Sequence, residues 1–169
     1  MFESVTVIGA NGRSGSAVGG RLRQRGVPLL EHDGELIVLC VPDRAIGEVA
    51  ARIEPGHWIC HVSGATSLGA LDPHELRFSV HPLQTLVKWR GPEQLDGAFG
   101  AVTAETDDAR ERGWWLAHTL GLQPSTWRTR GACSTTRARC SRAATSSGCT
   151  APPSRYSSSP GRRRTACCR

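Results

Sequence analysis

Three short polar motifs contain the residues of this sequence whose types and spacing could do chemistry. They are VPD at 41–43, HVSGATS at 61–67 and HPLQT at 81–85, and each lies at the end of an apolar run of strand type. Ligands of open α/β sheets bind outside the carboxyl ends of the strands. If the three runs are neighbouring strands, the motifs converge on one crevice, although His61 is equally consistent with a side chain that points into the sheet.

His81 is the candidate catalytic residue, because an imidazole can give or accept a proton near neutral pH and can orient a carbonyl or hydroxyl group. The alternative is a histidine that only caps a loop at the end of a strand. Ser63 and Gly64 could supply hydroxyl and backbone donors to a cofactor or substrate, or they could form an ordinary turn. Val41 and Pro42 are predicted to contact the same cofactor from another strand end.

A glycine-rich turn precedes these motifs, between the first apolar run and the first helical pattern. Its spacing is G-x-x-G-x-x-G, one residue longer at Asn11 than the usual dinucleotide fingerprint. Such glycines let the backbone approach a pyrophosphate, whose charge is met by the free N–H groups and dipole of the helix start. The predicted contacts are Gly9, Ala10, Asn11, Gly12, Arg13, Ser14 and Gly15. A tight turn that binds nothing is the alternative.

The cofactor predicted from this turn is NADP or NAD. An acid about 20 residues beyond the turn normally holds the ribose hydroxyl of NAD, and Glu31 is the best candidate, with Asp33 behind it. Arg13 lies within the turn and would instead favour a 2′-phosphate. The segment between the second and third predicted strands is too short for a normal crossover helix, which leaves the adenosine end of the site open to question.

The surrounding pattern alternates strands with helices. Strands are predicted within SVTVIGANGRSG (4–15), VPLL (27–30), GELIVLCVPD (34–43), HWICHVSG (57–64), LRFSVHP (76–82) and AFGAVTA (98–104). Helices are predicted within SAVGGRLRQRG (16–26), RAIGEVAARI (44–53, capped by Asp43) and DDARERGWWLAHTLGL (107–122, ended by Gly121). Alternation through short loops implies right-handed crossovers. The predicted fold is α/β, a Rossmann-like doubly wound parallel sheet followed by a disordered tail.

Composition divides the chain into two parts. Residues 1–127 hold all fifteen acidic residues and eleven of the 21 basic ones, whereas residues 128–169 hold ten arginines and no acid. Cys40 and Cys60 lie in apolar runs and are typical of buried reduced thiols in a cytosolic protein. No apolar run approaches the roughly 18 residues that a membrane span needs, and no signal segment is visible. We therefore expect a cytoplasmic NAD(P)-binding domain over 1–127, without a membrane partner.

The tail over 128–169 contains no Ile, Val, Leu, Met or Phe, so it cannot bury enough apolar surface to offset the entropy of ordering. Its first three cysteines are seven and nine residues apart, and they lack the C-x-x-C pair of zinc sites, so no metal is expected. One interpretation is a disordered basic arm for nucleic acid. Attraction of this kind would be non-specific and salt-dependent.

The genetic code offers another origin for the tail. Codons for CSTTRARCSRAATSSGCT, which begins at Cys133, can encode LYHAGAVLAGSNLVGLY in a shifted frame, and this is an amphipathic helix. A segment rich in Arg, Ser, Ala, Cys and Pro without acids is also what GC-rich DNA gives when it is read out of frame. Our hypothesis is a frameshift between about Trp127 and Cys133 that leaves the chain truncated and weakly active.

The motifs together resemble an uncharacterised bacterial family of Rossmann-like oxidoreductases, in which an NAD(P)-binding domain precedes a helical domain of unknown function. The match covers about residues 4–122 through VTVIGA-x-GR-x-GSA, LIVLCVPDRAIGEVAARI, HVSGATSL, SVHPLQTL and GAFGAV, and H-x-S-G-A with H-P-L-Q-T is its specific part. Pyrroline-carboxylate, deazaflavin-dependent NADP and prephenate-type reductases are more distantly similar. The widened turn, the short segment after the second strand and the tail depart from the family.

The resemblance implies binding of a nicotinamide dinucleotide, hydride transfer to an unknown small substrate, His81 beside the nicotinamide, and a homodimer for intact relatives. A second function from another class stays open. It is a non-catalytic module that senses nucleotides or mediates interactions.

Overall fold

The computed structural model describes residues 1–126 of the chain. The expectations for the tail, which are disorder, non-specific attraction to nucleic acid and a shifted reading frame, concern positions outside the described residues.

Within residues 1–126, seven strands form one sheet in the order β2-β1-β3-β4-β5-β6-β7. The strands are β1 (Val5–Ile8), β2 (Leu29–Leu30), β3 (Leu36–Leu39), β4 (Trp58–His61), β5 (Arg77–Pro82), β6 (Phe99–Ala104) and β7 (Gln123–Thr126). The α-helices are α1 (Arg13–Gln24), α2 (Ile46–Ala50) and α3 (Asp107–Thr119), with 3₁₀ turns at Asp43–Ala45, Leu68–Leu71 and Pro92–Leu95. The predicted α/β, Rossmann-like fold is confirmed, and β7 is a strand that the sequence pattern did not indicate.

The sheet is parallel except where β6 runs antiparallel to β5. The predicted parallel sheet is confirmed for β1 to β5, whereas β6 and its parallel neighbour β7 run in the opposite direction. Between β5 and β6, residues 83–98 contain only the short turn at Pro92–Leu95 and no helix that could cross the sheet. A connection that stays at one end of a sheet brings the chain back antiparallel.

Helices cover both faces of the sheet. On one face, α1 buries Ala17, Val18 and Leu22 in a core that α3 shares. Thr106 caps α3, since its hydroxyl oxygen accepts from the Ala109 N–H at 3.1 Å, and Gly121 follows the helix with a φ of 82°. None of the helices in the described part of the chain is long and apolar enough to cross a membrane.

The second face is covered by α2, as the apolar spacing predicted. Ile46 and Ala50 of α2 pack in a core with Ile37, Leu39 and Ile59 of the sheet.

The helix is shorter than the predicted range 44–53 at both ends, since Asp43–Ala45 form a 3₁₀ turn and α2 ends at Ala50. The proposed cap is wrong. No side-chain hydrogen bond caps α2 or the turn before it, so Asp43 does not act as an N-cap.

The connection from β2 to β3 is as short as the sequence indicated. Val5 of β1 pairs with Leu29 on one side and Leu36 on the other, so residues 31–35 cross β1 without a helix. The Gly34 N–H donates to the Thr6 hydroxyl at 3.0 Å, and a Cβ at position 34 would lie 2.6 Å from the Thr6 nitrogen. The strand order also puts β2 at one edge of the sheet that the described residues form.

The two cysteines of the described residues are free and buried, as predicted. Burial raises the pKa of the Cys40 thiol to about 12, and burial likewise raises the pKa of Cys60. A thiol reacts as its thiolate, so both groups are structural.

Candidate functional site

The glycine turn is closed so tightly that two of its positions have no room for a side chain. Gly9 has a φ of 85°, and a Cβ there would lie 2.5 Å from the Cys40 carbonyl oxygen. A Cβ at Gly15 would lie 2.1 Å from the Gly9 carbonyl oxygen. The Gly12 N–H donates to the same carbonyl at 2.9 Å. The turn therefore holds the start of α1 against the ends of β1 and β3.

The start of α1 is open to an anion. Gly12 is the N-cap residue, no side chain caps the helix, and its first turn contains no acid. The positive end of the helix dipole and the first backbone N–H groups are thus left uncompensated by the described side chains. This is the electrostatic arrangement that binds phosphate groups at helix N-termini.

His81 lies at the carboxyl end of β5 and joins two of the sequence motifs. Its Nδ1 lies 2.9 Å from the Val62 carbonyl oxygen. A carbonyl can only accept, so Nδ1 donates, and in the neutral ring Nε2 carries the lone pair. A Cβ at Gly64 would lie 2.6 Å from Nε2 and 2.5 Å from Cδ2. Gly64 is therefore the residue that lets the imidazole lie against the HVSGATS loop.

The Ser63 hydroxyl is engaged within its own loop. It accepts from the N–H groups of Ala65 and Thr66, each at 3.2 Å, and donates to the Thr66 hydroxyl at 2.9 Å. These bonds are those of an ordinary turn, which was the alternative for this residue. Contact between Ser63 and a ligand stays a prediction.

A cavity of about 1200 Å³ lies over the strand ends and brings the motifs together. Its lining includes Ser14, Asp43, Ser63, Gly64 and His81. Single ligand pockets are typically about 300–1,000 Å³, so this cavity has room for part of a cofactor together with a small substrate.

A second, smaller cavity of about 240 Å³ is also lined by His81. Arg13, Ser14, His81, Gln84 and Thr85 contribute to its lining. The HPLQT motif therefore approaches the first turn of α1, and Ser14 and His81 border both cavities.

Some predicted site residues lie near the strand ends but are absent from the described lining of either cavity. Glu31 is exposed and directly follows β2, which pairs with β1 below the glycine turn. Val41 packs at the turn, with its Cγ1 atom 3.3 Å from a Cβ built at Gly9. The other exposed members of this group are Gly9, Ala10, Asn11, Gly12 and Pro42. Their contacts with a cofactor stay predictions.

His61 is fully buried in β4, so the expectation of a side chain that points into the sheet is the one observed. Neither ring nitrogen has a hydrogen-bond partner among the described residues. Burial lowers the pKa of His61 below its usual value, although the nearby backbone carbonyls of Ser67 and Ser63 act in the opposite direction. The ring is accordingly neutral in the folded protein near pH 7.

Sequence reasoning missed part of the cavity wall. Ser79, Thr103 and Glu105 line the large cavity, and Ser79 pairs with Thr103 across the antiparallel strands. Alternation along β5 puts Ser79 on the face of His81, which is a signal that the sequence contains. Thr103 and Glu105 reach the cavity wall because β6 runs antiparallel to β5, a direction that the sequence did not reveal.

Comparison with known proteins bears on the fold. No family model and no curated protein matches the sequence. A protein described as an NADP oxidoreductase from Bacteroides fragilis is 15% identical, with a TM-score of 0.62, over 74% of this chain and 60% of that one. Prephenate dehydrogenase from A. aeolicus, solved with hydroxyphenyl propionate and NAD⁺, is 13% identical, with a TM-score of 0.61, over 75% of this chain and 60% of that one.

A third solved structure, 1-pyrroline-5-carboxylate reductase from Streptococcus pyogenes, is 14% identical, with a TM-score of 0.53, over 75% of this chain and 57% of that one. The chain thus spans about three fifths of the length of the structures it matches. At these identities the similarity concerns the fold. The chain has the Rossmann-like fold found in these NAD(P)-dependent oxidoreductases.

Proposed function

We propose that this chain contains the nicotinamide-dinucleotide-binding domain of an oxidoreductase, which transfers a hydride between NADP or NAD and a small substrate. The observation that carries the proposal is the shared cavity, since Ser14 of the glycine turn and His81 of β5 line it together. Ligands of open α/β sheets bind at this edge. The fold of the matched oxidoreductases supports the same function.

The residues at the strand ends fit a dinucleotide. Free N–H groups at the start of α1 suit the pyrophosphate, and the absence of side chains at Gly9 and Gly15 lets the turn close beneath it. Glu31 would hold a ribose hydroxyl of NAD, whereas Arg13 would hold the 2′-phosphate of NADP. Val41 and Pro42 would contact the cofactor between its two ends.

A bound nicotinamide supplies the hydride donor or acceptor. His81 would handle the proton, because its Nδ1–H is held by Val62, which leaves Nε2 to exchange a proton, and the residue lines both cavities. In the oxidative direction Nε2 takes a proton from the substrate hydroxyl or amine. In the reductive direction the protonated ring returns it. General acid–base catalysis of this kind contributes roughly 10²–10⁴-fold to a rate.

Binding and chemistry can be tested separately on the full chain. Titration calorimetry with NADPH and NADH should show binding of at least one cofactor. Arg13→Ala should weaken NADPH more than NADH, and Glu31→Ala should do the opposite. Absence of binding by both cofactors would exclude the proposed function.

Absorbance at 340 nm then reports hydride transfer to a panel of small carbonyl and imine compounds. His81→Asn should reduce the rate by roughly 10²-fold or more while cofactor binding stays within twofold. Binding without any hydride transfer would instead favour the nucleotide-sensing module. Because the chain spans about three fifths of the matched structures, the proposal includes three further points. The chain turns over weakly, its substrate is an unidentified small molecule, and intact relatives form homodimers.

We also propose that the reading frame shifts between Trp127 and Cys133. The support is the amphipathic helix that the codons beyond this point can encode in another frame. An independent nucleotide sequence across codons 125–135 tests it. An intact frame there would remove the proposal.

A further inference from the structure

The charged side chains that line the large cavity are acidic. Among the described residues of its lining, Asp43 and Glu105 carry carboxylates, and none is a lysine or arginine. Arg13 belongs only to the smaller cavity. A ligand in the large cavity therefore lies near negatively charged side chains, and no described residue of the lining carries a compensating positive charge.

The two carboxylates are not equivalent. Glu105 pairs with Arg77 at 3.1 Å, and Arg77, whose side chain is only 16% exposed, also pairs with Asp72. The Asp43 carboxylate takes part in no ion pair or hydrogen bond among the described residues, and only the backbone carbonyl of Asp43 accepts, from the Ile46 N–H. Asp43 is consequently the wall carboxylate whose charge the described chain does not offset.

The neutral His81 ring of the wall also favours a ligand that donates a hydrogen bond, and the wall hydroxyl groups are compatible with one. His81 uses Nδ1 on Val62, which leaves Nε2 as an acceptor in the neutral ring. The hydroxyl groups of Ser79 and Thr103 can accept as well as donate. Asp43 at the end of β3 and His81 at the end of β5 flank β4, so a ligand over β4 lies between a carboxylate and an imidazole acceptor.

From this arrangement, which rests on the proposed function, we infer that the substrate carries its reacting carbon next to a protonated nitrogen, as an iminium in the oxidised form and an amine in the reduced form. Asp43 offsets the positive charge, and Nε2 of His81 accepts from the N–H group.

The reaction balances with the cofactor as the only partner. In reduction, the hydride from the reduced nicotinamide forms a C–H bond, and the C=N π pair moves to nitrogen and cancels its charge. The cofactor becomes the oxidised nicotinamide. The neutral amine then takes a proton from Nε2 of the His81 ring, which solvent has protonated. In oxidation, Nε2 removes that proton before the hydride leaves carbon.

Three probes of equal ring size test the charge preference on the full chain with saturating NADP⁺. They are pyrrolidine, cyclopentanol and cyclopentanecarboxylate, which are cationic, neutral and anionic near pH 7. Titration calorimetry should show pyrrolidine binding more tightly than cyclopentanol, by up to about fivefold, the effect of one partly exposed charge pair. The carboxylate should bind more weakly than both. Tighter binding of the carboxylate than of pyrrolidine would overturn the inference.

Asp43→Asn tests the assigned residue. We expect it to weaken pyrrolidine about fivefold and to leave cyclopentanol and NADP⁺ within twofold. Glu54→Gln is the matched control, because Glu54 is exposed and does not line either cavity, and it should change none of the three. Unchanged pyrrolidine binding in Asp43→Asn would contradict the inference while NADP⁺ binding still supports the proposed function. Failure of NADP⁺ and NAD⁺ to bind the unaltered chain would remove both.

Discussion

The imidazole of His81 occupies the space that a side chain at position 64 would need. This contact explains why the pairing of H-x-S-G-A with H-P-L-Q-T is informative, since the second motif supplies the ring and the first supplies the gap. The sequence contains both motifs. Their contact depends on the parallel pairing of β4 and β5.

Replacement of Gly64 tests this contact. In Gly64→Ala the new Cβ would lie 2.5–2.6 Å from ring atoms of His81, so we expect the ring to move and the protein to lose about 1–3 kcal/mol of unfolding free energy. The NMR resonances of the His81 ring and urea unfolding measure the two effects. Gly69→Ala is the control, because its nearest neighbouring atom would lie at 3.7 Å. Equal effects of both variants would contradict the contact.

His61 predicts a pH dependence of stability. Burial lowers its pKa in the folded state, so below about pH 6.5 the unfolded chain binds a proton that the folded protein does not. Stability should be complete above that pH and should fall as the pH decreases, by at most about 1.4 kcal/mol per pH unit for one proton. Urea unfolding between pH 7 and pH 5 measures the slope.

His61→Leu removes the buried titrating ring and should flatten this slope, whatever its effect on stability at pH 7. His32→Gln removes an exposed histidine and serves as the control, which should retain the slope. A slope that persists unchanged in His61→Leu would assign it to other groups.

At the scale of elements, the connection from β2 to β3 distinguishes this sheet. A crossover between parallel strands normally needs a dozen or more residues, but here residues 31–35 suffice because Gly34 lies directly on β1. Sequence spacing showed that a helix could not fit. It could not show that the chain crosses β1 at Thr6, because this crossing depends on which strand β3 pairs with.

Gly34→Ala should destabilise the protein by about 1–3 kcal/mol, because its Cβ would lie 2.6 Å from the Thr6 backbone nitrogen. Gly19→Ala is the contrasting variant within α1, since its nearest atom would lie at 3.9 Å. An alanine in a helix interior is favoured over glycine by roughly 0.5–1 kcal/mol, so this variant should be neutral or stabilising. Chemical unfolding measures the unfolding free energy of both variants. If Gly34→Ala is as stable as the unaltered protein, the loop at residues 31–35 can move away from β1.

Across the described residues, the candidate site and a cluster of aromatic side chains lie at opposite ends of the strands. His81 and the glycine turn lie at the carboxyl ends. Near the amino ends, Phe2 packs edge-to-face with Trp58 and Trp115, at ring-centroid distances of 6.2 and 5.2 Å. The Arg112 guanidinium lies over the Trp58 ring, 4.5 Å from its centroid. Changes at the aromatic end should therefore alter stability without altering ligand binding.

Arg112→Ala tests this separation. Loss of the contacts with the aromatic rings should lower the unfolding free energy by about 1 kcal/mol, and the dissociation constant of NADPH should stay within twofold. Arg110→Ala is the matched control, because Arg110 is 41% exposed and pairs only with Asp107 among the described residues, so its effect should be under about 0.5 kcal/mol. A large change in NADPH affinity in Arg112→Ala would show that the two ends are coupled.

The sequence by itself determined the alternation of strands and helices, the glycine turn, the buried thiols and the position of His81 at the end of a strand. These features depend on local spacing, on apolar periodicity and on the backbone freedom of glycine. Tertiary structure alone decided that β6 is antiparallel, that Asp43 borders the cavity instead of capping α2, and that the Ser63 hydroxyl closes its own turn. Each of these depends on which distant segments become neighbours, and no local pattern of residues encodes that choice.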